Sequence, residues 1–133
     1  MSTITAIRAV EWTTPERINA YTYDCEYEGW EVVTDDQTVR IGIENEQSCC
    51  ERWGYTCSED DPARFVGAEL LRVERVDGDT TLIPEGFYEG GTIFVNIVTD
   101  RGKFQLAVYN EHNGYYGHDG VVISRDLNIS ETL

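Results

Sequence analysis

A long hairpin pattern in the second half of the chain constrains the fold more than any other feature. Residues 91–99 and 103–109 are rich in β-branched and aromatic side chains, and apolar residues recur there at every second position. The three residues between them, Asp100-Arg101-Gly102, are typical of a tight turn. Period-two alternation on both sides of a turn indicates two antiparallel strands, each with one face towards a core. The rest of the chain must therefore supply strands that cover this face.

Similar patterns predict strands elsewhere in the chain. The predicted strands span residues 3–12, 30–34, 38–44, 70–76, 80–83 and 121–124, and residues 20–27 fit either a strand or a loop. Pro15 and Pro62 each follow residues that are typical of a helix start, which predicts short helical turns over residues 15–19 and 62–66. The polar tail, residues 128–133, is expected to fray.

These elements predict a mainly β fold, which is a single antiparallel β-sheet, barrel-like or sandwich domain with one or two short helices. It has seven or eight strands and occupies residues 1–133 as one domain.

The N-terminus has neither the basic nor the apolar region of a signal peptide, and no apolar run approaches the roughly 20 residues that span a bilayer. We therefore expect a cytosolic protein whose cysteines are reduced.

The charge of the chain restricts its partners. There are 10 Lys and Arg residues against 25 Asp and Glu residues, which gives a formal net charge of -15. Nucleic-acid backbones and anionic membranes would be repelled, so neither is expected as a direct partner. A basic protein surface, such as one that normally holds DNA, remains compatible with this charge.

The cysteines suggest two kinds of chemistry, and neither is favoured. Two of the thiols of Cys49, Cys50 and Cys57 could form a zinc site with His112 or His118, or one of the adjacent thiols, Cys49 or Cys50, could form a nucleophile–base pair with either histidine. Adjacent cysteines on a strand face opposite sides of a sheet, however, and cannot both reach one ion without a bulge. The sequence therefore predicts no bound zinc, no disulfide and no cofactor, and the thiols are interpreted as small core residues.

Two loops that combine glycines with aromatic residues, residues 86–91 and 113–118, are the most function-like feature. Glycines allow a backbone to approach a ligand, and aromatic rings supply faces on which a base can stack. The alternative is that the glycines form turns and the tyrosines cover the core edges. The predicted ligand-binding residues are Tyr88, Tyr115 and Tyr116 for stacking, Arg101 and Arg125 for phosphate, and Asn113 and His118 for polar edges. We expect such a site to lie at an interface of a homo-oligomer.

Three short segments resemble a family of small phage and prophage proteins of unknown function. They are Cys49-Cys50-Glu51, the glycine-plus-hydrophobic residues 67–71, and Asn113-Gly114-Tyr115-Tyr116, and the resemblance covers roughly residues 38–124. It implies no catalytic residue. It does imply a phage context, in which small acidic proteins often bind and disable host defence machinery. An analogy at the level of fold class connects the chain to Thoeris anti-defence proteins that sequester nucleotide signals.

The sequence therefore favours a non-enzymatic phage-type binding protein that antagonises a host defence system by capturing a small nucleotide-like signal. An alternative is an acidic, DNA-mimic-like inhibitor that covers the nucleic-acid groove of a host nuclease, in the manner of some anti-CRISPR proteins. A third interpretation is a minor virion component.

Overall fold

The computed structural model describes residues 2–18, 21–45, 52–76, 90–111 and 118–133. Within these residues the chain is mainly β, as predicted. The strands are β1 (Ile4–Ile18), β2 (Tyr21–Thr34), β3 (Thr38–Glu44), β4 (Arg52–Cys57), β5 (Leu70–Val76), β6 (Gly90–Thr99), β7 (Gly102–Glu111), β8 (Asp119–Ile123) and β9 (Asn128–Thr132). A 3-10 helix, Pro62–Phe65, precedes β5 and confirms the helical turn that was predicted there.

The strands form two antiparallel sheets. One has five strands in the order β1-β2-β3-β8-β9, and the other has four in the order β4-β7-β6-β5. The hairpin that the sequence marked most strongly is β6–β7, which pairs without interruption from Gly90 opposite Glu111 to Thr99 opposite Gly102. Of the predicted alternatives, which were a single sheet, a barrel-like domain and a sandwich, the two-sheet arrangement corresponds to the sandwich.

The core lies between the two sheets, where the alternating apolar residues of both meet. The five-stranded sheet contributes Val32, Val39, Ile41 and Ile43, and the four-stranded sheet contributes Ile93, Val95, Ile97, Leu106 and Val108, all at most 1% exposed. Trp30 connects the layers because its Nε1 donates to the Thr56 carbonyl at 3.1 Å. Burial of each aliphatic side chain in this core stabilises the fold by about 1.5–3 kcal/mol.

The helical turn predicted over residues 15–19 is wrong for the residues that the structure describes. β1 continues to Ile18 and pairs with β2 as far as Tyr21, so residues 21–27, which fit either interpretation, are strand. Pro15 lies on an edge strand, where its missing N–H removes no bond needed inside the sheet. Asn19 and the strand predicted at residues 80–83 lie outside the described residues.

The fraying predicted for the tail is also wrong. Residues 128–132 form β9, which pairs with β8 along its whole length. Ile129 packs against the core, and Leu133 is 5% exposed. Glu131 forms an ion pair with Arg75 of β5, with Nη2 and Oε2 at 2.8 Å, which joins the edge strands of the two sheets. The described residues contain nine strands, and two of them, β4 and β9, lie where no strand was predicted.

The sandwich has two distinct ends, which matter for the location of any site. At one end, here called the turn end, residues 35–37, 100–101 and 124–127 connect consecutive strands. At the opposite end, the loop end, the His118 ring contacts the Glu44 carbonyl with 2.6 Å between Nδ1 and the oxygen, and Asn110 Nδ2 donates to the Leu133 carbonyl at 3.1 Å.

Candidate binding groove

The outer face of the five-stranded sheet carries polar and aromatic residues in register across neighbouring strands. Arg8 of β1 lies opposite Glu31 of β2, and Glu31 lies opposite Arg40 of β3. Because side chains alternate along a strand, these residues face away from the core that Val32, Val39 and Ile41 occupy. The outward positions of β1–β3 therefore form a continuous surface.

Trp12 and Tyr27 form an aromatic pair on this surface. Their ring centroids are 5.6 Å apart, with an angle of 17° between the ring planes, which is a stacked arrangement. The Trp12 ring extends across β2 to Gly42 of β3, where an added Cβ would lie only 2.3 Å from its Cη2 atom. Glycine at position 42 is thus required for the ring to lie on the sheet.

Arg40 covers the same indole ring. Its guanidinium carbon lies 5.3 Å from the Trp12 centroid, within the range of a cation–π contact. The contact holds the Arg40 side chain beside the aromatic pair, and Ile123 of β8 is the register partner of Arg40 on its other side. A positive charge is therefore placed at the junction between aromatic and aliphatic surface.

Glu31 is a buried carboxylate shared by two arginines. Its Oε1 accepts from Nε and Nη2 of Arg8 at 3.0 and 2.7 Å, and its Oε2 accepts from Nε of Arg40 at 2.8 Å. Burial alone would raise the pKa of Glu31, but the hydrogen bonds from Arg40 and Arg8, together with their charges, lower it overall. Both carboxylate oxygens are satisfied, so the ionised form is held.

A groove of about 320 Å³ lies beside the aromatic pair, between it and strands β8 and β9. Its lining residues are Trp12, Tyr27, Val121, Val122, Ile123, Asn128, Ile129 and Ser130. Ile123 is 43% exposed and is one of the few large apolar side chains that face solvent in the described part of the chain. The groove is at the small end of the range of about 300–1,000 Å³ that ligand sites occupy. It is mostly apolar, with an amide and a hydroxyl at its rim.

Four of the residues predicted to bind a ligand, Tyr88, Asn113, Tyr115 and Tyr116, lie outside the described residues. The other three are described, and the structure does not bring them together. Arg101 precedes β7, whereas residues 112–117 follow it, and the ten residues of that strand span about 30 Å at roughly 3.3 Å per residue. Arg101 and Glu111 therefore lie at opposite ends of β7, and His118 lies at the loop end beside Glu44.

The two predicted phosphate-binding arginines lie at the turn end. Arg101 Nη1 donates to the Val66 carbonyl at 3.3 Å, and Arg125 Nη1 donates to Asp36 at 3.2 Å. The Asp36 carboxylate also accepts from the Ser2 and Thr34 hydroxyls, and these bonds lower its pKa from 3.8 to about 2. Arg125 follows the groove residue Ile123 by two positions, so of the two arginines it is the one adjacent to the groove along the chain.

His118, which was predicted to contact polar edges of a ligand, is buried at the loop end. It is 3% exposed, its ring lies 5.8 Å from that of Trp53, and its main chain exchanges hydrogen bonds with Leu133 at 2.7 and 3.2 Å. The side chain therefore packs between the sheets at the loop end. Whether it contacts a ligand there stays a prediction.

The sequence analysis did not predict the residues around the groove as ligand-binding residues, although one residue in the sequence indicates a close contact there. A glycine inside a predicted strand often marks close approach of another group, and Gly42 stands between Ile41 and Ile43. No local pattern indicates that Trp12, thirty residues earlier, fills the space above it. The pairing of β1 with β2 and of β2 with β3 is needed to bring the two together.

Metal and membrane features can be stated only for the described residues. In that part of the chain, no group of three or more His, Cys, Asp or Glu side chains is arranged to hold a metal ion. Cys49, Cys50 and His112 lie outside it, so the absence of zinc stays a prediction. Across the same residues, the structure contains no helix with the length and apolar character needed to cross a membrane.

Comparison with known proteins identifies a family but no activity. The chain belongs to a family described as a domain of unknown function, DUF7448, whose family model matches residues 3–122. Comparison with curated proteins gave no match. Comparison with solved structures gave no match either.

Proposed function

We propose that this DUF7448 protein is a binding protein without catalytic activity, and that it captures a small nucleotide-like ligand in the outer-face groove. The observation that carries the proposal is the junction of an apolar groove, lined by Trp12 and Tyr27, with the guanidinium group of Arg40. A nucleotide combines a flat, largely apolar base with an anionic phosphate. The apolar groove matches the base, and the guanidinium group of Arg40 beside it matches the phosphate.

The rim of the groove supports the same class of ligand. Asn128 and Ser130 line it from the edge strand β9, and both residues are exposed. Amide and hydroxyl groups recognise base edges and ribose hydroxyls through hydrogen bonds. A purely aliphatic ligand would leave these groups and Arg40 unused. The ligand contacts predicted for Tyr88, Asn113, Tyr115 and Tyr116, which lie outside the described residues, stay predictions, as does the homo-oligomeric site.

The biological setting is part of the proposal and rests on the sequence resemblance to phage and prophage proteins. In the cytosol of an infected host, a protein that captures a nucleotide signal lowers the concentration of free signal without any chemical step. Antagonism of a host defence system would follow from affinity and copy number alone. Membership of an uncharacterised family is compatible with this role and does not specify it.

A groove-filling variant tests the proposal. Ser130→Trp places an indole in the groove from an exposed position, and Ala9→Trp adds the same side chain at an exposed position that does not line the groove. The assay is a thermal-shift screen of linear and cyclic nucleotides, followed by calorimetry on any that raise the melting temperature. We expect one class of nucleotide to stabilise the wild type and Ala9→Trp but not Ser130→Trp. Failure of every nucleotide, or unchanged binding by Ser130→Trp, would contradict the proposal.

A second candidate function is favoured by one observation, the net charge of -15. An acidic protein can cover the nucleic-acid groove of a basic nuclease by presenting carboxylates where phosphates would lie. In this case the carboxylate surface carries recognition and the groove has no role. Ionic strength separates the two candidates, because many surface charges act together in only one of them.

A further inference from the structure

We infer that Arg8 and Arg40, held side by side by Glu31, form the anion-binding half of the groove and receive the phosphate of the ligand. This inference rests on the proposed function and specifies its chemistry. It names Arg8 and Arg40 as contacts to phosphate and Glu31 as the residue that positions them.

The first observation that supports this inference is that the Glu31 side chain lies beneath those of Arg8 and Arg40. The Glu31 side chain is 5% exposed, whereas those of Arg8 and Arg40 are 60% and 38% exposed. The carboxylate is therefore covered by the guanidinium groups, which themselves face solvent. Its bonds engage Nε and Nη2 of Arg8 and only Nε of Arg40. Among the described contacts, Nη1 of Arg8 and both Nη atoms of Arg40 make no bond to Glu31 and can donate to a ligand.

The second support is the local charge. One carboxylate needs one arginine for neutrality, and a second arginine leaves the cluster with one net positive charge. That charge is opposite in sign to the formal charge of -15 of the whole chain. Guanidinium groups bind phosphate through paired N–H donors, and they do so best when their geometry is fixed in advance. Glu31 supplies this fixing, since it holds the Nε edge of each arginine.

The third support is the position of the cluster relative to the groove. Arg40 lies over Trp12, and its register partner is Ile123, and both of these residues line the groove. Neighbouring strands are about 5 Å apart, so a base in the groove places its phosphate near Arg40 after one strand spacing. Arg8, on β1, lies on the side of Glu31 that is farther from the groove, where it is placed to bind a second phosphate. The ligand class that follows is a nucleotide with a terminal phosphate or diphosphate.

The test compares a nucleoside with its monophosphate and diphosphate by calorimetry on four proteins. These are the wild type, Arg8→Gln, Arg40→Gln and a matched control, Arg72→Gln, which removes an arginine of similar exposure that pairs with Glu74 on the other sheet. We expect the wild type to bind the phosphorylated ligand about tenfold or more tightly than the nucleoside, as charge-assisted bonds allow. Arg40→Gln should lose most of that preference, and Arg8→Gln should lose the gain in affinity from the monophosphate to the diphosphate, while the affinity of both variants for the nucleoside stays within about twofold. Arg72→Gln should keep the preference.

The outcomes separate this inference from the proposed function. If the wild type binds the nucleoside and the nucleotides equally, or if Arg8→Gln and Arg40→Gln both bind them as the wild type does, the inference is overturned while the groove remains a ligand site. If the wild type binds neither, the proposed function itself fails. Either substitution leaves Glu31 with one arginine and can lower stability, so melting temperatures are measured in parallel. A variant that is folded at the assay temperature decides the outcome, and its affinity for the nucleoside shows whether the groove is intact.

Discussion

At the scale of single residues, Glu31 ties acid stability to the outer face. Its pKa is lowered in the folded protein from the ordinary value of 4.5, because the bonds from Arg40 and Arg8 outweigh the effect of burial. A group with a depressed folded pKa binds its proton more readily in the unfolded chain. The stability that it contributes is present above pH 4.5 and is lost as the pH falls through the folded value.

We therefore expect the unfolding free energy of the wild type to fall more steeply between about pH 5 and pH 3 than that of Glu31→Gln. The glutamine keeps the shape of the side chain and cannot ionise. Other carboxylates with lowered pKa, such as Asp36 and Glu131, remain in both proteins and cancel in the comparison. Urea unfolding at a series of pH values measures the difference. Parallel pH profiles would show that Glu31 is not held in its ionised form by the two arginines.

Gly42 shows why a site on this surface is hard to predict from residues alone. The sequence predicted its strand correctly, and in isolation a strand glycine only suggests that something approaches the backbone. The approaching group is Trp12, and Arg40 then covers that ring. The three residues belong to β1 and β3, and their convergence beside the groove depends on register rather than on any motif. Loop composition, by contrast, is visible in sequence, which is why the prediction favoured the loops.

At the scale of elements, β9 shows how a short polar strand is secured by its neighbours. Leu133 follows β9, packs against Gly91 and Gly120, and exchanges main-chain bonds with His118. An added Cβ at Gly91 would lie 2.8 Å from the Leu133 Cα, so the contact is close. One buried residue thus connects the last strand to both sheets.

We expect Leu133→Ala to reduce the unfolding free energy by about 2–4 kcal/mol, as large-to-small changes in a core do. The matched control is Thr132→Ala on the same segment, where the side chain is exposed and its bond to Asp119 lies at the surface. That variant should change stability by less than about 1 kcal/mol. Chemical denaturation of both proteins measures the contrast. Equal effects would mean that the C-terminal segment is not an integral part of the sandwich.

The elements that sequence predicted well are those whose local pattern and tertiary role agree. Residues 91–109 alternate regularly and form the β6–β7 hairpin, and residues 30–44 form the end of β2 and all of β3. Prediction failed where tertiary pairing overrode a local signal. Pro15 suggested a helix start but lies in a paired edge strand, and the polar tail contains Ile129 and Leu133 at a spacing of two strand repeats. β8 supplies the edge that makes this tail a strand.

At the scale of the whole molecule, the net charge favours a basic partner, whereas the groove with its arginine cluster favours an anionic ligand. A formal charge of -15 attracts basic surfaces and repels anions at long range. The arginine cluster can attract an anion only at short range, because charges beyond about 8–10 Å are largely screened at physiological salt. Ionic strength therefore weakens long-range attraction to a basic partner, and it also weakens long-range repulsion of a nucleotide.

This difference gives the last prediction. Between 50 and 200 mM salt, we expect affinity for a nucleotide in the groove to change by less than about tenfold, since few charge contacts are involved. Binding to a basic nuclease would fall by about a hundredfold or more over the same range, because many contacts act together. Calorimetry with the best nucleotide, and with a panel of purified basic nucleases, measures both dependences on one preparation. Ser130→Trp is the internal control, since it should abolish the first interaction and leave the second unchanged. A nuclease that binds tightly at low salt and is released at high salt, with no nucleotide bound under either condition, would favour the acidic inhibitor over ligand capture.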